Sequence, residues 1–223
     1  MNRSLVSRLI LKDLYLGRWL IGGTLLAGLI SLAMIPLSRV GYYVGSVSLL
    51  CVLIVLNLFI TFQFVVSERK DKTQLFVLSL PISTAQYTAA KVVSSGLAFL
   101  VPWLLLTLGC VAVIDASDIP NGMIPLTIAV LTYILAYFCV FLAVALVTDT
   151  SAATTTVIIV GNISINFLIP YLMGQASVIA TRDGPVAVWT PDVVGVIAAE
   201  LLVGVLALGV SWFLNARNRN FIS

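Results

Sequence analysis

Six stretches of this chain are almost free of charge and long enough to cross a bilayer, and this limits the fold more than any other feature. A spanning helix needs roughly 20 apolar residues. Residues 19–38 carry no charge and form the first stretch. The others are 44–66, 92–114, 123–147, 153–174 and 193–214, the last interrupted by Glu200. Only 9% of the 223 residues are charged and 61% are hydrophobic, against about a quarter charged in a soluble domain. Such a surface cannot be hydrated on every side. In lipid only helices and closed barrels satisfy their backbone, and barrel strands would alternate in polarity, which these runs do not. The sequence predicts an all-α polytopic membrane protein, one domain over residues 1–223 with six transmembrane helices.

Lys and Arg set the orientation. Six spans place both termini on the same side as the loop at 67–91 and the short connection at Asp149. That side carries Arg3, Arg8, Lys12, Arg18, Arg69, Lys70, Lys72, Lys91, Arg217 and Arg219; the other carries Arg39 and Arg182. Ten against two predicts cytoplasmic termini in a multi-pass protein of the cytoplasmic (inner) membrane. The net charge of +3 is thereby explained as a topology signal, and no nucleic-acid partner is expected. Ahead of the first span, residues 1–18 place apolar Leu5, Leu9 and Leu16 on a different helical face from Arg8 and Lys12. This predicts an amphipathic helix lying at the interface with lipid headgroups; the alternative is a plain extension of the first span.

Much chemistry is missing. The chain has no histidine, hence no imidazole base and no imidazole metal ligand. It has no GxxxxGK[ST] phosphate loop. Cys51, Cys110 and Cys139 are scattered through apolar runs and read as small buried hydrophobes. Neither catalysis nor a bound metal or cofactor is expected in this chain. Transport, or a structural role, remains.

Charge concentrates in one place. Glu68 to Lys72 are five consecutive charged residues, followed by the apolar stretch from Gln74 to Leu80. Pro81 ends any helix there. Ser83 or Thr84 can cap the next, which starts near Ala85, presents Lys91 at headgroup level and continues into the third span. The segment 67–91 therefore predicts a helix–break–helix elbow on the cytoplasmic face, a shape suited to docking a partner.

The elbow resembles the loop between the second and third spans in permease subunits of type-2 ABC exporters. The residues that carry the likeness are Glu68, Arg69, Thr73, Leu78, Ser79, Leu80, Pro81, Ile82, Ser83, Tyr87 and Lys91. Lys72 departs from it, since the family often has glycine there. The six-span layout, the N-terminal helix and the tail 211–221 are also similar to that family. The resemblance implies a coupling helix, with Glu68, Arg69, Thr73, Leu78, Leu80, Pro81, Ile82 and Ser83 contacting a separate ATPase. It implies two copies of that ATPase, which would bind ATP and Mg, and a second permease subunit, identical or a sibling, completing the translocation path within membrane lipid. The expected cargo is hydrophobic or amphipathic, such as a peptide antibiotic, a lipid or a drug. Competing readings are a secondary transporter driven by an ion gradient and a non-transporting assembly factor.

Polar residues within the spans are the remaining signal. Asn162, Asn166 and Thr155 share a helix face, and Asn57 stands alone in the second span. They serve either as interhelical hydrogen bonds or, by the resemblance, as residues bordering the dimer interface and cargo path. Glu200 could pair with Arg182, snorkel to the surface, or take up a proton.

Overall fold

Charge-free runs of this length become helices because a helix bonds its own backbone and leaves nothing for lipid to satisfy. The computed structural model describes residues 3–70, 84–148 and 150–217. Among them, six helices are long and apolar enough to cross a membrane. Helix α1 (Arg3–Met34) is followed by α2 (Arg39–Thr61), which runs through a π-helical turn (Phe62–Val66) into the short α3 (Ser67–Lys70). Then come α4 (Thr84–Asp115), a 3-10 turn (Asn121–Met123) and α5 (Ile124–Val147). Helices α6 (Ser151–Gly174), α7 (Ala176–Thr181) and α8 (Pro191–Arg217) complete the described chain.

The N-terminal segment differs from the expected separate helix. Helix α1 runs unbroken for 32 residues, about 48 Å at 1.5 Å per residue. That exceeds the ~30 Å hydrocarbon core, so its first turns are an extension of the span. Gly17 does not break it, because it packs beneath the Phe64 ring, where a Cβ would come within 2.8 Å. The opposite face exposes Leu11, Tyr15, Leu16 and Trp19, with the Arg18 guanidinium 3.8 Å above the Tyr15 ring. Aromatic rings beside a cation suit the membrane–water boundary. Helix α1 also ends at Met34 rather than Ser38, since Pro36 disfavours helix at Ile35. Ser38 instead caps α2, its hydroxyl accepting the Gly41 N–H at 2.9 Å.

Helix α5 is the hub. It is apolar all round and the most buried of the six, as expected for a helix with no lipid-facing side. Phe99 of α4 stacks on its Phe138 at 4.2 Å, and the Trp103 indole N–H donates to the Leu131 carbonyl at 2.9 Å. Helix α8 forms the most extensive pairing with α5, while α1 packs on α2 and α4. Helix α6 leans chiefly on α5. There Gly161 is required by close approach: a Cβ would overlap the Tyr137 ring, and the Tyr133 hydroxyl donates to the Gly161 carbonyl at 2.7 Å. Of the cysteines, Cys110 is buried, Cys139 half-buried and Cys51 exposed.

Gly161→Ala is expected to lower stability by about 1–3 kcal/mol, because Tyr137 sits in a packed core and must shift. Gly195→Ala, with nothing within 4 Å of its added methyl, is the near-neutral control. Thermal melts of the two variants in one detergent check this.

Candidate functional site

Tyr87, Lys91 and Ser94 recur at i, i+4 and i+7, which puts them on one face of α4. Asp13 and Gly17 form the buried edge of the early part of α1. The π turn after α2 widens the helix by a residue and re-aims the chain beyond it; Phe64 and Val65 within it are buried, and Glu68 comes immediately after. These three elements meet at the end of the bundle that carries the 67–91 connection.

Their side chains close into one ionic cluster. Lys91 Nζ lies 2.8 Å from Asp13 Oδ2 and 2.8 Å from Glu68 Oε1. Lys12 Nζ adds a second ammonium 2.6 Å from Glu68 Oε1 and 3.5 Å from Asp13 Oδ1. The Tyr87 hydroxyl donates to Glu68 Oε2 at 3.1 Å, and the Ser94 hydroxyl to Asp13 Oδ2 at 2.9 Å. Two cations thus face two carboxylates. Lys91 is wholly buried, with 0% of its side chain exposed, and Asp13 has 2%. Such burial is tolerated only because every charge is paired and hydrogen-bonded. Lys12 is half-exposed, so water screens its share. Burial pushes the Glu68 carboxyl up, but the charge of Lys91 and the hydrogen bonds from Lys12 and Lys91 outweigh it and hold the group below its ordinary 4.5.

Lys91 is therefore buried within the bundle rather than exposed as expected; compensation by Asp13 and Glu68 draws it inside. Asp13 was missed by sequence reasoning, which weighed only the cations of that segment. The available signal was an acid beside Lys12 in an otherwise apolar helix, with Tyr87, Lys91 and Ser94 in helical register. Of the predicted coupling residues, Glu68 belongs to the cluster. Thr73, Leu78, Leu80, Pro81, Ile82 and Ser83 lie outside the described residues, as does the side chain of Arg69.

The polar residues of the spans do not converge. Asn57 is fully buried, with neither side-chain atom partnered among the described residues. Thr155 and Asn166 are exposed on α6, and Asn162 is half-buried, its Nδ2 donating to the Ile158 carbonyl at 2.8 Å and to Tyr137 Oη at 3.3 Å. Asn166 Nδ2 donates to the Asn162 carbonyl at 2.9 Å. Glu200 neither snorkels nor pairs: it is 9% exposed and finds no partner among the described residues, while Arg182 lies 3.5 Å from Asp183. At the end of the bundle away from the cluster, a cavity of about 260 Å³ is lined by Leu49, Leu50, Cys110, Leu126, Val130 and others. Among the described residues, no group of three or more His, Cys, Asp or Glu could hold a metal.

The cluster can do mechanical rather than covalent work, since it joins both ends of the 67–91 connection to α1. Lys91→Met leaves two buried carboxylates short of a partner, and loss of about 3–5 kcal/mol is expected. Lys91→Met combined with Asp13→Asn should lose less than the sum of the two, read from a double-mutant cycle of denaturation midpoints. The pH dependence has a definite sign. Because Glu68 is held below 4.5 in the folded chain, its contribution is complete above that value and is lost as pH falls through the lower, folded one. Melting temperatures measured from pH 6 to pH 3 should fall in the wild type, and Glu68→Gln should lack that component.

A family model described as ABC-2 family transporter protein matches residues 24–191, about three quarters of the chain. Neither curated proteins nor solved structures gave a match. The matched span begins after Lys12 and Asp13, covers the 67–91 connection with Glu68 and Lys91, and contains the α5 hub. With that match and six membrane-crossing helices of the expected layout, the chain belongs to the ABC-2 family of transporter proteins and is a permease, the multi-pass membrane component of an ABC transporter.

Proposed function

We propose that this permease is half of the translocation pathway of an ATP-driven exporter, and that the 67–91 segment is where a separate ATPase subunit docks. The observation that carries the reading is the ionic cluster at the two ends of that segment. Glu68 closes one end and Lys91 the other, and both are held by Asp13 and Lys12 of α1. A push on Leu80 to Ser83 would enter α2 and α4 through this junction. Such a push shifts a conformational equilibrium only by its difference in contact energy between two states, and a rigid junction wastes less of that difference than a loose one. Two ATPase copies, which bind the ATP and Mg, and a second permease complete the assembly in this reading. The chain itself does no catalysis and resides in the cytoplasmic membrane with both termini inside.

The expected cargo is hydrophobic or amphipathic. The apolar cavity between α2, α4, α5 and α6 supports this, as do the isolated amides and hydroxyls of the spans, which form no ring of charge among the described residues. Ion-gradient transport would instead run through Glu200, the carboxylate within α8.

The test is co-purification with a separate ABC ATPase subunit co-expressed with it. Leu80→Asp with Pro81→Gly should abolish the complex. Lys91→Met should leave the ATPase bound and reduce cargo-stimulated hydrolysis, because it loosens the junction and not the docking surface. An undiminished complex in the Leu80/Pro81 variant would overturn the docking assignment. Transport that survives ATPase inactivation and fails in Glu200→Gln would favour the gradient-driven reading.

A further inference from the structure

Glu200 has no part in the junction just described. It lies nine residues into α8, about 14 Å along the axis and so well inside a ~30 Å hydrocarbon core. Its side chain is buried, and neither carboxyl oxygen has a hydrogen-bond partner among the described residues. One turn further on, Gly204 rests against α5, its Cβ position 3.4 Å from Cys139 Cβ and 3.7 Å from Ala136 Cα. Glu200 therefore sits in the seam between α8 and α5, closed by close packing on one side.

The groups around it offer no counter-ion. From α5, Tyr133 is within electrostatic reach of Glu200, but its hydroxyl already donates to the Gly161 carbonyl at 2.7 Å. Tyr137 and Cys139 on the same helix carry no charge to offer. Helix α4, which also packs on α8, has its charges at its ends. Lys91 is held by Asp13 and Glu68, and Asp115 accepts from Asn121 at 3.4 Å. On α8 itself, Asp192 is bonded by the Ser177 hydroxyl. No charged group among the described residues pairs with Glu200, and both its carboxyl oxygens are buried without a hydrogen-bond partner.

An ionised carboxylate left without a partner in an apolar medium is strongly disfavoured, and such groups are neutralised instead. A metal or organic cation would need further donors converging on the carboxyl, and the described residues of the seam supply none. The ligand these surroundings fit is a proton. We propose that Glu200 is a proton-binding site inside the membrane, filled while α8 is packed on α5 and emptied when that seam opens. This stands independently of the ATPase reading.

The sign of its linkage is fixed by the burial. The packed state holds the proton where an exposed carboxyl, with its ordinary value of about 4.3, has released it. Raising the pH therefore weakens the packed state of the wild type, by up to tenfold in the folded-to-unfolded ratio per pH unit. Glu200→Gln copies the neutral acid and cannot lose a proton. In lipid nanodiscs, the melting temperature of Glu200→Gln minus that of the wild type should widen as the pH rises from 5 and level off once the buried carboxyl itself ionises, while the charges of the Lys91 cluster cancel between the two. Dicyclohexylcarbodiimide, which needs a protonated carboxyl in an apolar setting, should label the wild type at pH 7.5 and spare the variant. A difference in melting temperature that stays constant across this range overturns the proposal, whatever the labelling shows.

Discussion

Lys91 is an ammonium group with no access to water, and the end of the bundle that carries the 67–91 connection is organised around that fact. A buried cation persists only where carboxylates meet it at hydrogen-bond distance. Asp13 and Glu68 do so, and they come from α1 and from the helical extension of α2. Three chain segments far apart in sequence are thereby held in one geometry. Tyr87 and Ser94 each add a hydrogen bond to one of the two carboxylates, which reduces the orientational freedom that a bare ion pair would keep. Pulling Lys91 away from both carboxylates leaves a buried charge stranded, so the junction resists opening.

The rest of the molecule is built on a different principle. Around α5 the contacts are apolar or aromatic, with side-chain-to-carbonyl hydrogen bonds such as those of Trp103 and Tyr133 at places where helices approach closely. Small residues make that approach possible, as Gly161 does beneath Tyr137. In lipid there is no hydrophobic drive between helices, and close packing with a few hydrogen bonds is what remains. The two regimes divide the labour. In the proposed cycle the charged junction receives force at one end of the bundle, and the apolar hub transmits it along rigid helices toward the cavity at the other. Glu200 is the exception, a carboxylate placed in the apolar regime without the partners that the junction supplies to its own.

How much of this was legible in the chain depended on the kind of signal. Six spans were readable because the free energy of leaving a polar group in hydrocarbon is large and acts on every residue of a run, so composition alone exposes them. The importance of Glu68 and Lys91 was readable through the resemblance of the 67–91 segment to a family pattern. Their meeting with Asp13 was not, since a contact between residues 13 and 91 is a property of how α1 lies on α4. Lys91 looked like a headgroup cation because local sequence shows an isolated charge at a span boundary and says nothing of a compensating acid 78 residues away. In the same way Glu200 has Arg182 nearby in the chain, yet the fold turns one into the seam beneath α5 and leaves the other beside Asp183.

The sequence by itself determined the class, the number of spans and the segment in which charge gathers, because these follow from transfer free energies summed over single segments. It also carried the family likeness, confirmed by a match over residues 24–191. Tertiary structure alone decided that the N-terminal segment continues the first span, that Lys91 is sealed between two carboxylates, and that Glu200 has none of the expected partners. Each of these depends on which helix faces lie against one another, a pairwise property of the packed bundle that no single segment encodes.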